Sequence, residues 1–205
     1  IWNDNFPANK LPEIFRMENP ATAVGNYVFS PSNGYVAIEA EHYNTLKDAA
    51  NAKWTVIPYM GRTLSGISLQ PYSQSVDGAF LSYKMKLPAD VKTVTVHVVV
   101  KSTLAFKNLD GHRYKVGFND KEMQTINFNS DLNEKQENIY TVFYPTVARR
   151  VVEKKVKLNV PVTADGVQVL TLTPLDPGIV FEKIVVDFGG YKNSYLFGNE
   201  SNSKR

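Results

Sequence analysis

The chain has 205 residues, of which 43% are hydrophobic, so it is long enough to bury the core of one domain. Its formal net charge of +3 gives no electrostatic reason to expect a nucleic-acid partner. The sequence has no cysteine, which excludes disulfides and a cysteine nucleophile. No apolar run approaches the roughly 20 residues of a membrane helix, so we expect no membrane partner.

The first 32 residues differ in composition from the rest. They contain four prolines, with asparagine, glutamate and lysine between them, and we interpret residues 1–32 as an extended N-terminal arm or linker. The chain begins with Ile1 and has no signal-like apolar block, so we expect a processed or excised piece of a longer product. An extracellular or periplasmic location follows as an expectation.

From residue 35 onward the sequence predicts short strands. The alternating or short apolar stretches are 35–41, 54–57, 66–69, 79–87, 92–101, 113–118, 124–128, 151–160, 166–173 and 179–188. Turn signals separate them about every ten residues, which indicates an all-β antiparallel β-sandwich, of the jelly-roll or galactose-binding-like type. A barrel is the main structural rival. Only the polar region 131–150 has a pattern that permits a long helix, and a short helix is also expected around residues 12–17.

The stretch Ile179–Phe188 is predicted to be a central strand. It carries apolar residues on both alternating faces, and turn formers precede and follow it. Strict alternation would place Glu182 and Ile184 on one face, and Phe181 and Lys183 on the other. The residues after Gly190 have too little periodicity for another element, and we expect 195–201 to pack back onto the sandwich.

The three histidines show no metal-ligand spacing. We interpret each of them, His42, His97 and His112, as a surface or turn residue, with His97 on the polar face of strand 92–101. The basic run 148–157 alternates apolar and charged residues, which is typical of a solvent-facing edge strand whose lysines discourage pairing with other chains.

Glu39, Glu41 and Asp187 are candidate ligands for a structural calcium ion, because Ca²⁺ prefers several hard oxygen ligands. The competing interpretation is a solvated strand face. Glu39 and Glu41 lie two positions apart on one predicted strand, so they cannot flank a glycosidic bond as catalytic carboxylates do. We therefore assign no catalytic residue.

Trp54, Arg62 and Tyr72 are candidate carbohydrate-binding residues. Sugar rings stack on aromatic faces, and an arginine can hold a uronic-acid carboxylate with two hydrogen bonds. The competing interpretation places Trp54 in the core and gives Arg62 a structural ion pair.

Four stretches carry a family resemblance. They read NGYVAIEAEHYN from residue 33, W-x-VIP-x-x-GRTLSGI from residue 54, STLAF-x-x-x-x-GHRYKVGFND from residue 102, and DPGIVFEKIVVDFGGYKNSYLFGNES from residue 176. Together they resemble the C-terminal domain of glycoside hydrolase family 115, the xylan α-glucuronidases, over residues 33–201. The last stretch is the most specific of the four. Residues 202–205 form a short tail.

The resemblance implies a non-catalytic β-sandwich domain that packs against a catalytic unit, or takes part in its dimerisation, during the removal of glucuronic acid from xylan. No catalytic residue is carried over, because the catalytic part of that family is far larger than the arm before Asn33. A free-standing carbohydrate-binding module for xylan or uronic-acid glycans is the alternative. The expected partners are thus a catalytic domain, a xylan-type polysaccharide or a second copy.

Overall fold

The structure, a computed structural model, describes residues 27–107 and 110–204. Within these ranges the chain forms thirteen strands, one π-helical turn and one α-helix. The strands are β1 Val28–Phe29, β2 Tyr35–Glu39, β3 Thr45–Lys47, β4 Lys53–Ile57, β5 Gly66–Gln70, β6 Phe80–Lys86, β7 Thr93–Lys101, β8 Arg113–Phe118, β9 Lys121–Asn127, β10 Val151–Asn159, β11 Val167–Pro174, β12 Phe181–Asp187 and β13 Ser203–Lys204. The π-helical turn is Ile139–Phe143, and helix α1 is Tyr144–Arg149.

The strands form two sheets. The seven-stranded sheet has the order β13-β1-β6-β11-β8-β9, with β3 also paired to β6, and the six-stranded sheet has the order β10-β7-β12-β5-β4, with β2 paired to β12. The pairs are antiparallel except for the short β1–β6 contact. Alternate side chains of both sheets meet in one hydrophobic core, which includes the buried aromatics Tyr83, Tyr114 and Phe181. The predicted β-sandwich class is thus confirmed.

Strand β12 lies in the interior of its sheet, as predicted. It pairs with β7 on one side and with β2 and β5 on the other. A β-bulge between Phe181 and Lys183 changes the predicted alternation, because one extra residue shifts the side chains that follow it. Phe181 and Ile184 therefore both enter the core, while Lys183 and Val185 share the outer face.

The sandwich begins before the predicted boundary at residue 33. Strand β1 pairs with β13 and β6, so residues 28 and 29, which the sequence assigned to the arm, belong to the seven-stranded sheet. Residue 203 likewise belongs to a strand and not to a free tail. The rest of the predicted arm, residues 1–26, lies outside the described residues.

The glycine pair after β12 fits closely against the turn that precedes β2. Asn33 and Gly34 have φ angles of 52° and 79°, the left-handed values that a tight hairpin turn needs. A Cβ atom on Gly190 would overlap the carbonyl oxygen of Asn33, so the two backbones can approach only because residue 190 has no side chain. This contact sets the direction in which the C-terminal segment leaves the sheet.

The helical prediction for region 131–150 is met in its second half, where the π-helical turn and α1 lie. The basic strand β10 is an edge strand that pairs with β7, as the lysine pattern indicated. No helix among the described residues is both long and apolar enough to cross a bilayer.

Candidate functional site

Residues 188–201, which we call the C-terminal strap, cover the outer face of the six-stranded sheet. Phe197 is 5% exposed and packs against the outward side chains Val99, Val151 and Val185. The backbone amide of Ser201 donates to the carbonyl of Ala37 at 2.8 Å, and Ser201 Oγ accepts from the amide of Ala37 at 3.0 Å. The centre of this outer face, which an antiparallel sheet often leaves to solvent, is therefore buried.

Lys183 lies at the centre of this covered face, and its side chain is 3% exposed. Its Nζ lies 2.8 Å from Glu39 Oε1, and it donates to the strap carbonyls of Gly198 at 2.7 Å and Leu196 at 3.1 Å. Thr63 Oγ1 lies 3.4 Å away and itself donates to Glu39. The ammonium is thus surrounded by oxygens from β2, from the loop 58–65 and from the strap, and it joins the three.

The β-bulge in β12 contains a second charged residue, Glu182, whose carboxylate lies beside the ammonium of Lys101. Glu182 is 2% exposed, and its Oε1 lies 3.4 Å from the Nζ of Lys101. Within the described residues, neither carboxylate oxygen accepts a hydrogen bond of normal geometry. Burial raises the pKa of Glu182, although the positive charges of Lys101 and Arg62 oppose the rise.

The histidines are buried, contrary to the sequence interpretation. His97 Nδ1 lies 2.6 Å from Glu153 Oε1, beneath the ring of Tyr191 at 5.0 Å between centroids. His112 stacks on Phe128 and its Nε2 donates to the carbonyl of Pro177 at 2.7 Å. Burial lowers the pKa of His112. The prediction failed for His97 because strand alternation cannot indicate that another segment covers the polar face.

The third histidine fixes the end of the strap. His42 Nδ1 lies 2.7 Å from Glu200 Oε1, and the same oxygen accepts the backbone amide of Glu39 at 2.9 Å. Burial alone would lower the pKa of His42, but the hydrogen bond and charge of Glu200, with the nearby carboxylates of Glu41 and Glu39, raise it. Protonation of the His42 imidazole therefore strengthens the contact that holds the end of the strap against β2.

Arg62 lies between the strap residue Tyr195 and the helical segment 139–149. We give the name aromatic surface to Arg62, Tyr195 and the aromatic residues of that segment: Tyr140, Phe143 and Tyr144. The Arg62 guanidinium lies 3.7 Å from the centroid of the Tyr195 ring, and it donates to the carbonyl of Arg149 at the end of α1. Tyr140 and Tyr195 are 75% and 73% exposed. Arg62 thus links the strap to the helical segment 139–149.

The structure does not bring together the three predicted carbohydrate-binding residues. Trp54 is half-buried against Phe181, and its Nε1 donates to the carbonyl of Lys47. Tyr72 is 40% exposed and accepts from Gln70. No contact within residues 27–107 and 110–204 joins either of them to Arg62. Carbohydrate binding by any single one of these side chains stays a prediction.

The predicted calcium ligands also lie apart. Glu39 pairs with Lys183, whereas Asp187 lies four positions further along β12, opposite Tyr35. Asp187 Oδ1 accepts the backbone amides of residues 189, 190 and 191, which begin the strap. Among the described residues no group of three or more His, Cys, Asp or Glu side chains forms that could hold a metal ion. The trio therefore does not form a site, and the Lys183 ammonium lies among the oxygens that a hard cation would need.

Two surface clefts are also present. The larger, of about 340 Å³, lies between the loops 87–92 and 160–166 and has no aromatic ring in its lining. The smaller, of about 200 Å³, lies beside Phe118 and β10. Neither cleft contains a residue of the predicted sites.

The sequence patterns did not indicate the oxygen atoms around Lys183, the contact between His42 and Glu200, or the aromatic surface. One signal for the first of these was available: the dipeptide Glu182-Lys183 interrupts an otherwise apolar central strand, and charged residues are rarely buried unless they are paired. The contact between His42 and Glu200 had no such signal in the sequence, because the two residues are separated by 158 positions.

The fold defines the chain as a two-sheet antiparallel β-sandwich domain whose C-terminal strap packs on one sheet. The chain belongs to the family described as the glycosyl hydrolase family 115 C-terminal domain, whose sequence model matches residues 28–200. The resemblance stated from the sequence is thereby confirmed, and with it an accessory, carbohydrate-related domain. No curated protein matches the chain.

Among solved structures, the chain is similar to part of a family GH115 4-O-methyl-α-glucuronidase, BtGH115A, which has specificity for decorated arabinogalactans. The identity is 16% and the TM-score 0.51, over 72% of this chain and 18% of that enzyme, so the likeness shows the fold. The chain thus spans about a fifth of the length of that enzyme. The C-terminal CBM6 of LamC from Zobellia galactanivorans is 14% identical with a TM-score of 0.48, over 75% of this chain and 98% of that one. A family 35 carbohydrate-binding module from Clostridium thermocellum is 12% identical, also with a TM-score of 0.48, over 74% and 97% of the two chains.

Proposed function

We propose that this domain is a non-catalytic accessory module that docks through its aromatic surface on the catalytic unit of a xylan α-glucuronidase-like enzyme. The observation that carries the proposal is the segment 139–149. It contains Ile139, Tyr140, Val142, Phe143, Tyr144 and Val147, yet none of its residues is buried. A short helical segment this apolar suits a partner surface, because its own domain covers Ile139, Val142 and Phe143 only in part and leaves Tyr140, Tyr144 and Val147 exposed.

The composition of the aromatic surface supports docking. Tyrosine and arginine are the residue types most often found at the energetic centre of protein interfaces. The Arg62 side chain is already held by its contacts with Tyr195 and Arg149, so little of its conformational freedom remains to be lost on association. The catalytic unit is the favoured occupant because the family is that of a C-terminal domain of glycosyl hydrolases.

The charged groups support a non-catalytic role for the described part of the chain. Glu39 and Glu153 face Lys183 and His97 beneath the strap, and Glu182 faces Lys101. A general acid or base must reach the substrate within hydrogen-bond distance, and each of these carboxylates is instead engaged by a lysine or a histidine of its own domain. The polymeric substrate of such an enzyme would lie outside the cell, so the proposal includes an extracellular or periplasmic location.

The docking proposal can be tested by titrating this chain against the catalytic unit of a family member from which the equivalent C-terminal domain has been removed. Calorimetry should detect association of the two. The variant Tyr140→Ser/Tyr144→Ser should bind about tenfold or more weakly, because each lost aromatic contact at an interface centre costs on the order of 1–2 kcal/mol. Val162→Ser, which changes an exposed apolar side chain on the β10–β11 loop, is the matched control and should bind like the wild type.

Two outcomes would overturn the proposal. One is the absence of association at micromolar concentration. The other is a stable dimer of this chain alone in light scattering that Tyr140→Ser/Tyr144→Ser dissociates, because the occupant would then be a second copy. Release of glucuronic acid from glucuronoxylan by this chain alone would refute the non-catalytic role in particular.

We do not favour a free-standing carbohydrate-binding role through Trp54, Arg62 and Tyr72, because no hydrogen bond or ring contact among the described residues joins the three side chains. If xylan in an affinity gel retained the wild type but not Tyr72→Ala, a carbohydrate-binding role of Tyr72 would be supported.

A further inference from the structure

The outer face of the seven-stranded sheet has a regular arrangement of short polar side chains. Leu81, Tyr83 and Met85 of β6 enter the core, so the residues between them point outward. The strand register aligns Thr45, Ser82, Thr171 and Gly117 in one row across β3, β6, β11 and β8. This row forms the floor of a shallow trough that runs across the strands. Ser82 and Thr171 are only 6% and 4% exposed at the bottom of the trough, whereas Thr45 is exposed at its end.

Lysines stand on both sides of this floor. On one side the register aligns Lys47 with Phe80, and Thr173 with Lys115. On the other side Lys84 lies opposite Val169. From strand spacing and rise, the Cα atoms of Lys84 and Lys115 are separated by about 16 Å, diagonally across the floor. We call this surface the lysine face: Thr45, Lys47, Phe80, Ser82, Lys84, Lys115, Thr171 and Thr173.

The positive charge of the lysine face is not neutralised by neighbours. Strands β3, β6, β8 and β11 contain no aspartate or glutamate. In the described part of the chain, no carboxylate lies within ion-pair distance of the ammonium groups of Lys47, Lys84 or Lys115. The cationic Arg113 at the end of β8 differs from them, because it is held by two hydrogen bonds to Asp176.

We propose that the lysine face binds a linear, carboxylate-bearing polysaccharide that lies along the trough. Ammonium groups with no carboxylate within ion-pair distance on both sides of the trough suit an anionic chain, and the exposed hydroxyl of Thr45 can both donate to and accept from sugar hydroxyls. Nucleic acid fits less well, since its sites rely on arginine forks and aromatic stacking. The only arginine at this face is already paired, and Phe80 is its single aromatic ring. This surface is separate from the aromatic surface and does not depend on the docking role.

The experiment uses polygalacturonate as the probe, in affinity electrophoresis and calorimetry with the full chain. The wild type should be retarded at low salt and progressively released as salt is added. Lys84→Gln/Lys115→Gln should bind at least about tenfold more weakly. The control Lys53→Gln/Lys157→Gln removes the same charge from exposed positions on the edge strands β4 and β10 of the other sheet, and it should bind within about twofold of the wild type.

A neutral variant separates recognition of sugar from general charge attraction. Thr45→Val removes a floor hydroxyl without altering charge, and it should weaken polygalacturonate binding about threefold or more while leaving the salt dependence unchanged. An equal loss in both lysine double variants would overturn the proposal, because net charge alone would then explain binding. No retardation of the wild type, or tighter binding of a DNA duplex than of polygalacturonate, would overturn it as well.

Discussion

The Lys183 ammonium supplies the positive charge beside Glu39 that the sequence analysis expected from a calcium ion. Its ammonium satisfies the carboxylate of Glu39 and two strap carbonyls, while both members of the ion pair are almost fully buried. Such a pair gives little net stability relative to an apolar pair, but the loss of one partner leaves an uncompensated charge in the interior.

We therefore expect Lys183→Met to lower the free energy of unfolding by about 3 kcal/mol or more, because it leaves the Glu39 carboxylate buried without a cation. Urea unfolding followed by tryptophan fluorescence measures this. The double variant Glu39→Gln/Lys183→Met removes both charges and should recover most of the loss. The wild type should unfold at the same urea concentration in calcium chloride and in a chelator. A fully stable Lys183→Met protein, or a large calcium effect on the wild type, would contradict the role of the ammonium.

Single-residue features were the least predictable from the sequence. The sequence identified Glu39 as a special residue but assigned it to calcium, because residue spacing does not show which cation faces a carboxylate. The same limit applies to Asp187, whose carboxylate caps three backbone amides. That local contact depends on the chain turning back at Gly189 and Gly190.

At the scale of elements, alternation and turn residues were sufficient for the long strands. Strand β7 was the clearest prediction and extends over Thr93–Lys101 in the structure. The two-residue strands β1 and β13 were missed, because two residues cannot show a period and because their pairing joins the two ends of the described chain. The bulge in β12 was also missed, since one extra residue leaves no mark in composition.

The strap is the element whose stability should depend on pH. His42 has its pKa raised above the ordinary 6.5 by Glu200, with which it holds the strap to β2. A group whose folded pKa is raised contributes stability that is complete below its unfolded pKa and is lost as pH rises through its folded pKa. The stabilisation by this pair should therefore be present at pH 6 and decline toward alkaline pH.

We expect hydrogen exchange of the strap amides, referenced to the exchange of an unstructured peptide at each pH, to show weaker protection as pH rises from 6 to 9. In His42→Gln the strap should be less protected at pH 6, and the decline should largely disappear. His112→Gln is the control, since it removes another buried histidine whose contacts with Phe128 and Pro177 lie outside the strap. The same decline in His42→Gln as in the wild type would assign the pH dependence to another group.

At the scale of the whole molecule, the outer faces of the two sheets lie on opposite sides of the sandwich. The six-stranded sheet is covered by the strap, beside which the aromatic surface lies, and the seven-stranded sheet carries the lysine face. The sequence was sufficient for the sandwich and the family, because both depend on many residues that agree. It was insufficient for either surface: Arg62 and Tyr195 are 133 positions apart, and the lysine face collects residues from four strands that only the register brings together.

The two proposed surfaces should act independently. Stacked sheets lie about 10 Å apart, and surface charges further apart than a Debye length of roughly 8–10 Å are largely screened. We expect Tyr140→Ser/Tyr144→Ser to leave polygalacturonate binding unchanged, and Lys84→Gln/Lys115→Gln to leave docking unchanged. In the quadruple variant the loss of binding free energy for each ligand should equal, within about 0.5 kcal/mol, the loss in the double variant that affects that ligand, as for distant sites. Calorimetry of the chain saturated with either ligand provides the direct measurement, because the second ligand should bind with its affinity for the free chain. Competition between the polysaccharide and the catalytic unit would mean that they share one surface, and the assignment of two opposite faces would then fail.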